Sequence, residues 1–267
     1  MKIIGFGQLY NELEKNNLKN WFKCMNSVCD YIYIFDQKSS DKNHEIYKLE
    51  PKAVVYYNDK NDFSNEIQCK AKLLQMILRD HPDTDWIFWL DGDSLLDNRL
   101  LDRNEFEKIL NLADKISAGG IRLGHLNLWR SDIHYRLDSK YNELNVFGVL
   151  ALWKNNGKLY FPLNDGLHKP QYPNCIDFPI LPMNNYKLIH RGFATDSNII
   201  NKYITYKNRG QSGWDLERLL DEQKLETNAI DLSLLPSWFK VEDDENPINK
   251  TPIKDIYELA YVEKDYS

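Results

Sequence analysis

Trp86-Ile87-Phe88-Trp89-Leu90-Asp91-Gly92-Asp93-Ser94 is the stretch that decides how the rest of the chain is read. Five consecutive large apolar residues suit a strand buried on both faces, as in a parallel sheet covered by helices. The run stops at Asp91, and a second carboxylate, Asp93, follows across a glycine. In extended backbone, residues two apart point the same way, so both carboxylates can address one small volume. Gly92 removes the side chain between them and lets backbone come close to a bound group. Oxygen donors at the carboxyl end of a buried strand suit a hard cation, Mg²⁺ or Mn²⁺, carrying a phosphate. That strand end is also where ligands sit in open α/β sheets. Asp-Gly is ordinary turn chemistry as well, and the triplet gains meaning only from its place after WIFWL.

Working outward, the alternation of elements is regular. The first strand is expected at 2–6, ending at Gly7, and a helix opens at Asn11 with apolar residues at Leu13, Leu18, Trp21, Phe22 and Met25. Strands at 31–35 and 53–57 follow, the first ending in Asp36. A helix over 65–79 precedes the Asp pair, and a capping box at Asp102 to Glu105 opens another helix that runs to about Lys115. Such alternation predicts a mostly parallel sheet with right-handed crossovers. Beyond Gly119-Gly120, strands are expected at 121–123, 146–153, 158–161 and 186–190. Residues 162–182, with prolines at 162, 170, 173, 179 and 182, read as a long functional loop. Helices are expected over 195–206, 214–222 and, weakly, 253–262. No internal repeat is visible.

Composition narrows the class. A net charge of −6 without a long basic run argues against general nucleic-acid binding. No run of about 18 apolar residues exists, so no spanning helix is expected. The N-terminal apolar segment is too short for a secretory signal. Cys24, Cys29, Cys69 and Cys175 lack zinc-type spacing and read as reduced thiols of a cytoplasmic protein, with peripheral membrane contact left open.

In order and spacing, NELEKNNLKNWF (11–22), YIYIFDQKSSD (31–41), DWIFWLDGDSLLD (85–97) and LIHRGF (188–193) with GQSGW (210–214) resemble a family 2-like glycosyltransferase of the GT-A fold, of bacterial or viral type. The resemblance implies an α/β fold with a mostly parallel central sheet flanked by helices and a smaller C-terminal acceptor-side region. One catalytic domain would cover 1–225, with a nucleotide-binding half (1–118) and an acceptor-side half (119–225), followed by an extension at 226–267. The implied activity is metal-dependent transfer of a sugar from a nucleotide-diphosphate-sugar to the hydroxyl of a glycan or other acceptor, with inversion. Asp91, Asp93 and His190 would hold Mn²⁺ or Mg²⁺. Phe6, Gly7 and Asp36, with Asp91, would line the nucleotide pocket, and Lys70 or Arg191 would meet phosphate. Asp165 is the chosen general base, with Asp177 the alternative. His168 would touch acceptor or phosphate, and Trp214 would offer a stacking face. The family's Gln-x-x-Arg-Trp motif is absent. A phosphatase of the haloacid dehalogenase type also ends a strand in Asp-x-Asp, with the first Asp as nucleophile, but places that strand first. A non-catalytic nucleotide-sugar-binding domain is the third reading.

Overall fold

The computed structural model of the chain describes residues 1–62, 65–138, 140–162 and 171–262. From the N-terminus run β1 (Ile3–Leu9), α1 (Leu18–Val28), β2 (Tyr31–Asp36), α2 (Asn43–Tyr47), β3 (Ala53–Tyr57), α3 (Glu66–Asp80) and β4 (Trp86–Trp89). Then come β5 (Ser94–Leu96), α4 (Arg103–Lys115), β6 (Gly120–Asn127), β7 (His134–Arg136), α5 (Lys140–Phe147) and β8 (Val149–Lys154). β9 (Ile180–His190), α6 (Asp196–Asn208), α7 (Trp214–Glu217), β10 (Thr227–Ala229) and α8 (Ile253–Tyr257) complete the described elements.

Eight of the described strands form one sheet in the order β3-β2-β1-β4-β8-β6-β9-β5. Four of its seven pairings are parallel and three antiparallel. Alternate residues of the parallel half serve opposite faces. Ile32, Ile34, Trp86 and Phe88 join the cluster under α1 and α4. Ile4, Phe6, Tyr33, Phe35 and Ile87 join the one under α3. This two-sided burial is what the unbroken apolar runs anticipate.

The chain runs outward from β1 to β2 and β3, then returns to β4 on the other side of β1. The order therefore reverses between β1 and β4, and the carboxyl ends at such a reversal are where ligand crevices form in open α/β sheets. Asp91 and Asp93 leave β4 at that point.

Several expected boundaries move. The helix expected from Asn11 starts only at Leu18. Asn11 and Asn16 are left-handed (φ 52° and 56°), and the Leu13 and Glu14 amides donate to Asp41 Oδ2 at 2.8 and 3.1 Å. The strand expected at 146–153 begins at Val149, because α5 runs to Phe147 and Gly148 (φ +70°) ends it. Of 158–161 there remains one bridge, Tyr160 to Asn174. β9 reaches back to Ile180 and includes Pro182, which pairs with β6 alone; β5 joins β9 only at Leu188–His190, so the missing amide faces an open edge. The helix expected over 214–222 ends at Glu217. At α4 half of the expected capping box forms: Asp102 accepts from the Asn104 and Glu105 amides, while Glu105 turns to Lys108. Among the described residues, no helix is long and apolar enough to cross a membrane.

The C-terminal stretch is stitched to the body. β10 pairs with β7, and Ile230, Leu235 and Ile253 are buried. Arg130, 1% exposed, donates to Asp196 at 2.6 Å, to Glu222 at 3.1 Å and to the Thr251 carbonyl at 2.7 Å. Arg130→Met leaves the largely covered Glu222 carboxylate without its cation, and the expected loss is about 3 kcal/mol of unfolding free energy in urea titration. A loss under about 1 kcal/mol would show that the latch is dispensable.

Candidate active site

The crevice floor is built by close backbone approach. A Cβ on Gly7 would sit 2.8 Å from the Leu90 carbonyl oxygen and 2.9 Å from Trp21 Cζ2. The bare glycine lets the Trp21 indole pack there, and its N–H donates to Leu90 O at 3.0 Å. A Cβ on Gly92 would meet Leu9 Cδ2 at 2.4 Å and Glu12 Cγ at 3.1 Å. Only glycine allows the turn between the two aspartates to lie against the end of β1.

Asp93 is the focus. β5 and β9 pair antiparallel with Ser94 opposite His190, and the Arg191 amide donates to the Asp93 carbonyl at 2.7 Å. This register brings His190 Nε2 to 3.3 Å from Asp93 Oδ1. From α6, Lys202 donates to Asp93 Oδ2 at 3.0 Å, its ammonium 4.7 Å from the Phe193 ring centre. Burial raises the Asp93 carboxyl, but His190 and Lys202 more than offset it and hold the group well below the ordinary range. Burial likewise disfavours the Lys202 ammonium; Asp93 outweighs this and keeps the group above the usual lysine range. Gly192 makes the convergence possible. A Cβ there would lie 2.2 Å from Lys202 Nζ, 2.4 Å from His190 Cε1 and 2.5 Å from Asp93 Oδ2.

Asp91 has different surroundings. It opens to solvent, yet protein closes around it at longer range, and this crowding, with Asp93 beside it, pushes its carboxyl up. The Trp89 indole donates to Asp91 Oδ1 at 2.9 Å. Lys70 lies 4.2 Å from the Trp89 ring centre and is paired with Glu66 at 2.6 Å. Glu12, at the end of β1, accepts from Asn17 at 2.8 Å and pairs with Lys15 at 2.8 Å. Burial raises its carboxyl, Lys15 opposes this and Asp93 adds to it. Behind His190 stands His125, ring centres 5.3 Å apart, lowered to about 3 by burial and by His190, and therefore neutral.

The donor set fits a divalent ion only with help from a ligand. Among the described residues, no three His, Cys, Asp or Glu side chains form a ready metal centre. Asp93 and His190 supply two donors with Asp91 close by, and ions that carry phosphates usually keep few protein ligands beside waters and phosphate oxygens. His190 Nδ1 is buried without a partner among the described residues, so no second contact fixes which nitrogen carries the proton. A mixed carboxylate and imidazole set favours Mn²⁺ over Mg²⁺.

The other expected residues fall in four groups. Asp36 ends β2 beside the crevice, its oxygens accepting from the Ser39 amide at 2.8 Å and the Tyr47 hydroxyl at 2.7 Å. Phe6 is fully buried against Trp89 and Trp153, so only its backbone lies at the crevice. Arg191 is spent on structure: its guanidinium donates to Asn17 at 2.8 Å and Asp132 at 3.1 Å and stacks on Phe239. Asp177 precedes the far end of β9, which runs alongside β6 from Gly120 to Asn127, so at about 3.3 Å per residue of β6 it stands more than about 20 Å from His190. Asp165 and His168 lie outside the described residues, as does the Trp214 side chain. Sequence reasoning missed Glu12, Gly192 and Lys202. For Lys202 a signal existed: it follows buried Ile199 by three positions on α6, the spacing of one helix face.

Residues 34–147 match the model of the galactosyl transferase GMA12/MNN10 family. That stretch holds Asp36, Lys70, Asp91 and Asp93. No curated protein sequence matches the chain. A protein from Desulfovibrio desulfuricans G20 assigned as a nucleotide-diphospho-sugar transferase is similar in structure at 12% identity and TM-score 0.41, over 82% of this chain and 95% of that one. The mannosyltransferase PcManGT from Pyrobaculum calidifontis, solved with GDP-Man and Mn²⁺, is similar at 12% identity and TM-score 0.43, over 82% of this chain and 67% of that one. Both structural likenesses are loose. The family match and the α/β topology support a glycosyltransferase of GT-A-like fold. The matching family model differs from the family 2-like one that the motifs resemble.

Gly192→Ala should overpack the Asp93–His190–Lys202 convergence, lowering unfolding free energy by about 1–3 kcal/mol in denaturant titration. An unchanged midpoint would mean that Lys202 leaves Asp93 at no cost.

Proposed function

We propose that the chain transfers a sugar from a nucleotide-diphosphate-sugar to an acceptor hydroxyl with the help of a divalent cation. One observation carries the reading: Asp93 and His190, 97 residues apart in sequence, meet at 3.3 Å where the sheet order reverses, with Asp91 alongside. Asp93 and His190 would hold the cation, which when bound neutralises charge on the departing nucleotide diphosphate. Trp89 orients Asp91 through its indole N–H, and this carboxylate faces the ribose side of the crevice. Asp36, at the end of the next strand outward, takes the base or ribose. Glu12 closes the crevice floor and adds negative charge on the side where the cation sits.

The acceptor-side base belongs to the same proposal. Asp165 remains the candidate for an inverting course; Asp165→Asn should abolish transfer while donor binding persists, and NMR of the product's anomeric centre reads the stereochemistry. Three of four cysteines are buried as free thiols, which fits a reducing, cytoplasmic setting.

A set of nucleotide-sugars offered one at a time with Mn²⁺ tests the whole reading. One donor with metal should raise thermal stability, by about 2.7 kcal/mol at a hundred times its Kd. Asp93→Asn should remove that metal-dependent stabilisation and cut turnover on the order of 100-fold. A variant that keeps both would end the metal reading, and hydrolysis of a simple phosphomonoester by the wild type would favour the phosphatase instead.

A further inference from the structure

The cation already seated on Asp93 belongs to the protein. Lys202 donates to Asp93 Oδ2 at 3.0 Å, beside His190 Nε2 at 3.3 Å from Oδ1. The seat is shaped for it, with Gly192 cut back to a hydrogen and the Phe193 ring 4.7 Å from the ammonium. A divalent ion held by Asp93 and His190 would stand within a few ångströms of that ammonium, and like charges so placed in a partly desolvated crevice repel strongly. Metal and Lys202 therefore oppose one another at Asp93. A diphosphate changes the balance, because it offers the ammonium other oxygens and binds the metal as well.

We propose that Lys202 is a resident counter-ion that couples the two ligands of this site: it weakens binding of a lone divalent cation, and a nucleotide diphosphate relieves the opposition by drawing the ammonium from Asp93. The inference rests on the transferase reading above and adds to it an interdependence of metal and donor. The gain is a site in which the charge of Asp93 is answered before either ligand arrives.

Calorimetric titration of Mn²⁺ into the protein, alone and with saturating UDP or GDP, reads the coupling directly. In the wild type, Mn²⁺ should bind more tightly with one of the nucleotides by about 5–150-fold, the ordinary span of a coupling between sites. Lys202→Met should bind Mn²⁺ alone about tenfold more tightly, and the nucleotide should then add little. Lys202→Gln is the second variant if the first does not fold, and Lys202→Arg should restore the coupling in part. A Mn²⁺ affinity that is unchanged or weaker in Lys202→Met overturns the proposal, since a merely structural lysine would only loosen the site. Wild-type coupling retained in Lys202→Met overturns it too, with the transferase reading intact. If neither nucleotide affects Mn²⁺ binding in any of these proteins, the transferase reading itself falls, while the metal-only comparison still decides the role of Lys202.

Discussion

A carboxylate taken out of water must be answered by positive charge or by hydrogen-bond donors, and Asp93 imposes that demand on the rest of the molecule. The answer comes from two distant segments: His190 at the end of β9 and Lys202 on α6. For both to arrive, β9 must pair with β5 in one register, because a slip of one residue would turn His190 to the other face. It also needs a residue with no side chain between them, which Gly192 provides. The three-residue strand β5, slight as it is, therefore carries the geometry of the site.

The same demand explains why the C-terminal stretch folds back. Arg191 follows His190 directly, and its buried guanidinium needs partners of its own. Asn17 and Asp132 supply them, with Phe239 beneath. Asp132 in turn accepts from the Glu242 and Asp243 amides at 3.0 and 3.4 Å. Asn17 also donates to Glu12. A continuous set of bonds thus runs from the crevice floor through Arg191 to the C-terminal stretch. Arg191 serves the site by holding the strand end still, through Asp132, whose charge neutralises it.

How much of this was legible depends on how local the cause was. WIFWL, the helix over α3 and the helix after Asp102 follow from short-range periodicity and capping, and they appear nearly where expected. The crevice was legible too, because the order of strands, helices and the Asp pair is enough to place a switch point. Boundaries failed where tertiary contacts override local preference. Asn11 to Asn16 is pinned by Asp41, and 146–148 belong to a helix end at Gly148. The role of Arg191 could not be read at all, since its partners are 174 and 59 residues away and nothing in its neighbourhood marks them. The surroundings of Lys70 were hidden for a subtler reason. Glu66, one helical turn earlier, was visible in the sequence, but its burial with Lys70 against Trp89 was not.

The two aspartates illustrate how one motif yields two chemistries. They are separated by one residue, yet their carboxyls shift in opposite directions. Asp93 lies against the Lys202 ammonium and His190 and is held ionised, as a metal ligand must be. Asp91 has only an indole N–H in direct contact and feels Asp93 as a like charge, so ionising it is harder. A cation placed between them would relieve both, lowering Asp91 and replacing part of what Lys202 now supplies to Asp93. Environments that push neighbouring carboxyls apart mark functional pairs in general. In the proposed transferase this asymmetry would suit Asp93 to direct ligation and leave Asp91, with only the Trp89 indole in direct contact, for the donor's hydroxyl groups.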